Sequence, residues 1–313
     1  MRRVAVTGVS GYIGAQLLRR LAAHPGVEAV IGIDTRPPVA PPAKLTFLQR
    51  DITQPFESLF AQHKVDAAVH LAFVVAPTRR EAWAAKINID GTKHFLQACA
   101  SGGVGYALYL GSTAAYGAHA DNPVPLTEES PLRPNQRFQY SRDKAATERL
   151  FADFAAANPG AKVAVLRGCP VMGPGGAKAI GAKVFQPVMV RIAGHNPPVQ
   201  YLHEDDLIDI LVMLLERRTP GVYNVAGDGT VPYTQVAKMA KRPMVAVPKS
   251  LLGGVMDVAW KLRLQSQSNS SGLDFIAYPW VAGNEKLKQA TGFRYRYSTE
   301  QTIEAFLRGA KRS

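Results

Sequence analysis

The pairing with the clearest chemical meaning in this sequence is Tyr140-Ser141-Arg142-Asp143-Lys144, a tyrosine followed four residues later by a lysine. On a helix, i, i+4 spacing puts phenol and ammonium on one face. A free tyrosine carries protons poorly at neutral pH, its ordinary pKa being about 10, but a neighbouring cation favours the phenolate and makes it a general acid or base. Because the same spacing is common on solvated helices, the pair alone also fits an ordinary surface pattern. A second source of chemistry is Gly111-Ser112-Thr113-Ala114-Ala115-Tyr116-Gly117. Directly after an apolar run, Ser112 or Thr113 could orient a reacting oxygen beside Tyr140, and a plain turn is the competing explanation.

The elements that must position these side chains alternate β-rich and helical patterns through the first half of the chain. The strands expected are Arg3 to Thr7, Glu28 to Ile33, Leu45 to Leu48, Ala67 to His70, Tyr106 to Leu110 and Lys162 to Leu166. Helical periodicity fills Gly14 to Ala23, Arg80 to Ala100 and Tyr140 to Ala157. This is the pattern of an α/β fold, a doubly wound parallel sheet of Rossmann type. Between the first strand and helix stands Thr7-Gly8-Val9-Ser10-Gly11-Tyr12-Ile13-Gly14. Glycines there let the backbone turn tightly and approach a pyrophosphate, which meets the amides and positive end of the helix. About twenty residues on, Asp34 can accept hydrogen bonds from both ribose hydroxyls, which favours NAD. Arg36 leaves NADP open, since a guanidinium there could pair with a 2′-phosphate. Asp51 and Ile52, after the third strand, fall on the adenine side of the sheet. A bound nicotinamide cation would add to the effect of Lys144 on Tyr140.

At 313 residues the chain can bury a large core. No apolar run reaches the roughly 20 residues that span a bilayer and the N-terminus lacks a signal-peptide pattern, so the expectation is a cytoplasmic protein without a membrane partner. The net charge of +13 is scattered in pairs such as Arg19-Arg20 and Lys241-Arg242 rather than gathered in a basic block, which argues against a nucleic-acid partner. Cys99 and Cys169 are too few for a disulfide framework, and Cys169 is expected to be an inert thiol. His203-Glu204-Asp205-Asp206 suggests metal ligands, but carboxylates at the start of an apolar helical run suit the helix dipole and explain it better, so no metal is expected. Past Arg167 the pattern loosens into a smaller, discontinuous part. Ser266 to Gly272 reads as a mobile loop. The helix Leu251 to Leu264, with Val255, Met256, Ala259 and Trp260, reads as core or, with Tyr278-Pro279-Trp280, as an apolar substrate wall.

Together these residues resemble the extended short-chain dehydrogenase/reductase superfamily, in its NAD-dependent epimerase/dehydratase branch. The likeness spans most of the chain: the glycine loop, His70-Leu71-Ala72, Asn88-Ile89-Asp90-Gly91-Thr92, Tyr140 with Lys144, Leu166-Arg167, Val171-Met172-Gly173-Pro174, Leu202 to Asp206, and Tyr223 to Gly227. The resemblance implies that Tyr140 is the acid/base, that Lys144 binds the nicotinamide ribose and lowers the tyrosine's pKa, and that Ser112 is the catalytic hydroxyl with Thr113 the adjacent alternative. It implies that Leu71 and Ala72 line the cofactor's path, with Gly8, Gly11, Tyr12, Ile13, Gly14, Asp34, Arg36, Asp51 and Ile52 completing the cofactor site. Asn88 is expected to brace the sheet. The expected division is an NAD-binding domain at 1–167, to which 203–229 returns, and a substrate-binding part at 168–202 and 230–313.

Departures from the branch's pattern bear on the substrate. Dehydratases carry an Asp-Glu pair after the catalytic hydroxyl, where this chain has Thr113-Ala114-Ala115. Nucleotide-sugar members place an asparagine where Pro170 stands and a diphosphate-binding arginine where Val199 stands. The expectation is therefore an NAD-dependent oxidoreductase for a small, non-nucleotide-sugar hydroxyl or carbonyl compound, with Arg191 the cation to suspect should a diphosphate bind after all. The alternatives are an NAD-dependent sugar epimerase and a non-catalytic NAD(P)-sensing protein, and a homodimer is possible.

Overall fold

The computed structural model describes residues 1–176, 186–265 and 268–312. Its centre is a seven-stranded sheet in the order β3-β2-β1-β4-β5-β6-β11, every neighbouring pair parallel. The strands are β1 Arg3–Thr7, β2 Ala29–Asp34, β3 Leu45–Gln49, β4 Ala67–His70, β5 Tyr106–Leu110, β6 Lys162–Gly168 and β11 Gly221–Val225. Parallel strands need crossovers. These are α1 Tyr12–Ala23, α2 Glu57–Gln62, α3 Glu81–Ala85 continuing into α4 Gly91–Ser101, α5 Gln139–Ala157 and α6 Glu204–Arg217. The strand order reverses between β1 and β4, so a crevice opens at their carboxyl ends, where open α/β sheets take ligands.

Alternation along β1 shows why both faces are covered. Val4 and Val6 pack with Leu17, Leu18 and Leu21 of α1 and Leu207, Leu211 and Leu214 of α6. Ala5 points the other way, into Phe60, Phe95, Phe151 and Phe154 of α2, α4 and α5. Each such large side chain contributes about 1.5–3 kcal/mol by leaving water, and truncating Phe151 to alanine would cost about 3–5 kcal/mol. The expected single helix from Arg80 to Ala100 is instead interrupted by one π turn, Lys86–Asp90. That turn carries Asn88 into the interior, and a π turn inside a helix is a frequent mark of a functional site.

The remainder forms a smaller lobe of short strand pairs: β7 Val171–Met172 with β10 Leu202–His203, β8 Met189–Ile192 with β13 Met244–Val247, and β9 Pro198–Val199 with β12 Val231–Pro232. With α7 Tyr233–Met239 and α11 Thr299–Arg312 they enclose a third core around Met172, Met189, Tyr201, Val236, Ile303 and Phe306. The helix α8, Lys249–Lys261, overturns one expectation, because it buries none of its residues fully. Leu252 and Met256 lean on Ile192, Leu273 and Ala277, a small patch that covers one side, and Val255 is left to solvent. Of the Ser266 to Gly272 stretch expected to be mobile, residues 266 and 267 lie outside the described residues. The rest is tied down: Asp257 of α8 accepts from Ser270 N and from Ser270 Oγ, each at 2.9 Å.

Candidate active site

The cofactor end is built by the turn after β1. Gly8 has φ +72°, and a Cβ on it would lie 2.7 Å from Ala72 N, so only glycine lets the loop cross the end of β4. A Cβ on Gly14 would lie 2.1 Å from Gly8 O, so α1 can begin directly against the loop. Gly11 is the N-cap of α1 with no side-chain cap, and a Cβ there would approach only Gly8 O. The positive end of a twelve-residue helix therefore faces open space, which suits a pyrophosphate. The carboxylate of Asp34 brackets the loop, accepting from Ser10 N at 3.0 Å and Arg36 N at 3.2 Å. The Arg36 side chain is exposed. Leu71 N donates to Thr7 O, and Ala72 N reaches Thr7 Oγ1 at 3.5 Å, so both lie at the mouth of the crevice.

The side chains of four residues expected at the cofactor end are engaged within the protein. The Tyr12 phenol does not point along the crevice but donates to the buried carboxylate of Glu204, with its ring against Gly176. Glu204 also accepts from Gln16 Nε2 and Gly175 N, both at 2.7 Å, so this pairing fixes the loop after β7 over the glycine turn. Ile13 is half-buried against the first core. Ile52 is buried too, beneath Gly91, which leaves only its backbone near the surface, and Asp51 holds its own turn by accepting from Thr53 N.

At the carboxyl end of β5 the chemistry-bearing residues converge. Tyr140, in the first turn of α5, has the Ser112 hydroxyl beside it, and Ser112 Oγ accepts from Ala114 N at 3.1 Å. Thr113 does not join them, being wholly buried with its hydroxyl turned toward Gly168 O. One turn after Tyr140, Lys144 is only 4% exposed. Its Nζ donates to Leu110 O at 2.9 Å and sits 3.8 Å above the Phe73 ring and 5.8 Å from the Tyr140 ring. Burial draws the Lys144 ammonium down to about 7, with Asp143 and Glu148 pulling it back up. Burial raises the Tyr140 phenol above its ordinary value, and the Ser112 hydroxyl acts against that. The expected lowering by Lys144 is thus not what dominates in the protein alone, because desolvation penalises both charged forms.

The surroundings are polar and paired. Asn88 Nδ2 donates to Asp143 on α5 at 2.8 Å, and its Oδ1 accepts from Val74 N at 2.7 Å, so the π turn braces the loop after β4. His70 lies between the Thr7 and Thr92 hydroxyls, its pKa pushed down to about 3 by burial and by Lys144. Arg167 is committed to Glu148 and to the Tyr116 hydroxyl, so it cannot activate Cys169, whose thiol burial raises to about 12. In the run read as the start of a helix, His203 caps α6 by accepting from Asp205 N, and Asp206 accepts from Arg296 N and Tyr297 N.

Sequence reasoning pointed to Tyr140 and Trp280 but missed Phe73, Phe138 and Phe275, which shape the site with them. Phe73 meets Tyr140 edge-on at 5.9 Å, and a run of rings leads from Tyr140 to Phe138 at 6.0 Å, to Phe275 at 5.2 Å and to Trp280 at 4.9 Å. Phe73 carried a signal, standing directly after His70-Leu71-Ala72. The run ends at a cavity of about 150 Å³ lined by Cys169, Pro170, Val199, Gln200, Tyr201, Tyr233, Phe275, Ile276, Trp280 and Val281, with no cation among them.

A Rossmann sheet, a glycine loop at a helix start and a Tyr-Lys pair at the sheet's carboxyl edge define the class of an extended short-chain dehydrogenase. The chain matches the model of the NAD dependent epimerase/dehydratase family over residues 4–226 and belongs to that family. It is an enzyme of this NAD-dependent type. An uncharacterised protein of Mycobacterium tuberculosis is 24% identical over 98% of this chain and 83% of its own length. The UDP-glucose 4-epimerase of Erwinia amylovora is 31% identical over 52% of each chain. Among solved structures, the UDP-glucose 4-epimerase of Thermotoga maritima superposes with a TM-score of 0.75 at 18% identity, covering 99% of both chains, which shows a shared fold.

Proposed function

We propose that this enzyme moves a hydride between NAD and a hydroxyl or carbonyl carbon of a small, largely apolar substrate, through Ser112, Tyr140 and Lys144. The observation that carries it is the meeting of those three side chains at the end of β5. NAD, held by Gly8, Gly11, the start of α1, Asp34 and Ala72, supplies hydride acceptance or return. Tyr140 passes the proton to or from the substrate oxygen, and Ser112 orients that oxygen by hydrogen bonding. Lys144 completes the pocket beside the phenol, its pKa drawn down by burial. In this reading residues 1–167 and 203–229 serve the cofactor, and 168–202 and 230–313 the substrate.

The uncharged lining supports a substrate other than a nucleotide sugar. A diphosphate entering a cleft needs charge-assisted partners, and Val199 and Pro170 supply none. Titrating UDP, dTDP and GDP sugars against the NAD-loaded protein tests this, and low-micromolar binding with turnover of the sugar would overturn it. The family relationship to nucleotide-sugar 4-epimerases favours one second reading, an epimerase on another substrate using the same three residues. Net NADH release marks the oxidoreductase, whereas retained NAD with inverted product marks the epimerase.

A further inference from the structure

The helix α8 presents an apolar stripe that nothing among the described residues covers. Leu251, Val255, Val258 and Leu262 recur at i, i+4, i+7 and i+11, on one side of the helix and its continuation, and with Leu264 beyond they are 56 to 75% exposed. Five large aliphatic side chains standing together in water are not the scatter of single apolar residues that a monomer's surface normally carries.

What borders the stripe identifies its occupant. Along α8 and the residues that directly follow it the chain carries Lys249, Lys261 and Arg263 against one acid, Asp257. That acid is engaged locally, accepting from Ser270 and pairing with Arg137. Lys249 is paired with Asp274, while Lys261 and Arg263 are exposed at the end of the stripe. On the opposite side of α8, Arg79 lies 3.9 Å over the Trp260 ring and donates to Trp260 O and Gln265 O.

We propose that this face of α8 docks onto an anionic lipid surface, lying in the interface plane rather than crossing it. An apolar stripe with lysine and arginine at its end is a composition that seats a helix at the headgroup boundary, aliphatic side chains inward and cations toward phosphates. A second copy of the chain fits less well, since apposing two stripes would bring like cations together in a protein of net charge +13. The expectation of no membrane partner rested on the lack of a spanning run, which an in-plane helix does not need.

Flotation of the full-length NAD-loaded protein with phosphatidylglycerol/phosphatidylcholine vesicles tests the proposal. The wild type should float with these vesicles, float about tenfold less with phosphatidylcholine alone, and detach as salt rises from about 0.1 M to about 1 M. V258E with L262E should lower flotation about tenfold or more while melting temperature and NAD affinity stay as in the wild type. Failure of the wild type to float with anionic vesicles, or equal flotation of the double variant, overturns the proposal. So does a lipid-free dimer in sedimentation velocity that the double variant converts to monomer, because that outcome assigns the face to a second copy.

Discussion

The cofactor crevice and the cavity of the smaller lobe are built on opposite terms. At the crevice, backbone atoms and short-range contacts set the geometry: Gly8 against Ala72, Gly14 against Gly8, and Asp34 bonded to the loop it faces. Buried polar groups there are held between partners on neighbouring elements, as with His70 between Thr7 and Thr92 and Asn88 between Val74 and Asp143. The cavity is walled by side chains from segments far apart in sequence, Cys169 and Pro170, Val199 to Tyr201, Tyr233, and Phe275 to Val281, and its contacts are mostly apolar. A cofactor of fixed chemistry can be held by backbone geometry, whereas a cavity walled by side chains can change its lining without disturbing the sheet.

The widest separation of the two regions should come from Tyr140→Phe. Losing a placed acid/base commonly costs about 100- to 10,000-fold in rate, while the crevice keeps its shape. Steady-state turnover beside calorimetric NAD titration checks this, and a variant keeping about a tenth or more of wild-type activity defeats the acid/base role.

Gly14→Ala strikes the crevice instead. A Cβ placed 2.1 Å from Gly8 O forces the loop off α1, at about 1–3 kcal/mol of stability with weakened NAD binding. Urea unfolding with and without NAD reads both effects. An unchanged midpoint and affinity would mean that the loop relaxes freely.

Acid should unsettle the crevice side first, through His70. Its folded pKa of about 3 lies below its ordinary 6.5, so the neutral ring's contribution is intact above about pH 6.5 and is lost as pH falls toward 3. The slope reaches at most about 1.4 kcal/mol per pH unit in that window. Urea midpoints between pH 7 and pH 4 should fall less steeply in His70→Asn than in the wild type, and parallel slopes would refute the assignment.

The smallest effect concerns the adenosine end. Asp34→Ala should narrow the preference for NAD over NADP by about tenfold, equivalent to about 1.4 kcal/mol, because the carboxylate no longer repels a 2′-phosphate. Tighter NADP binding by the wild type would show that exposed Arg36 governs that end.

By itself the sequence determined the elements of the sheet to within a residue or two through β6, the glycine turn, and the helix bearing Tyr140 and Lys144. These follow from periodicity and from steric rules that act over a few residues. Only the tertiary structure distinguishes the surroundings of Ser112 and Thr113, since both hydroxyls follow the same strand and differ in which side of the turn they face. It also decided that Tyr12 belongs to Glu204, a contact across nearly 200 positions that no local pattern announces. The helix after Pro248 carries the same lesson in reverse. Its apolar spacing marked a face to be covered, but periodicity records only that a face is apolar, and whether the chain's own core lies against it depends on how distant segments fold.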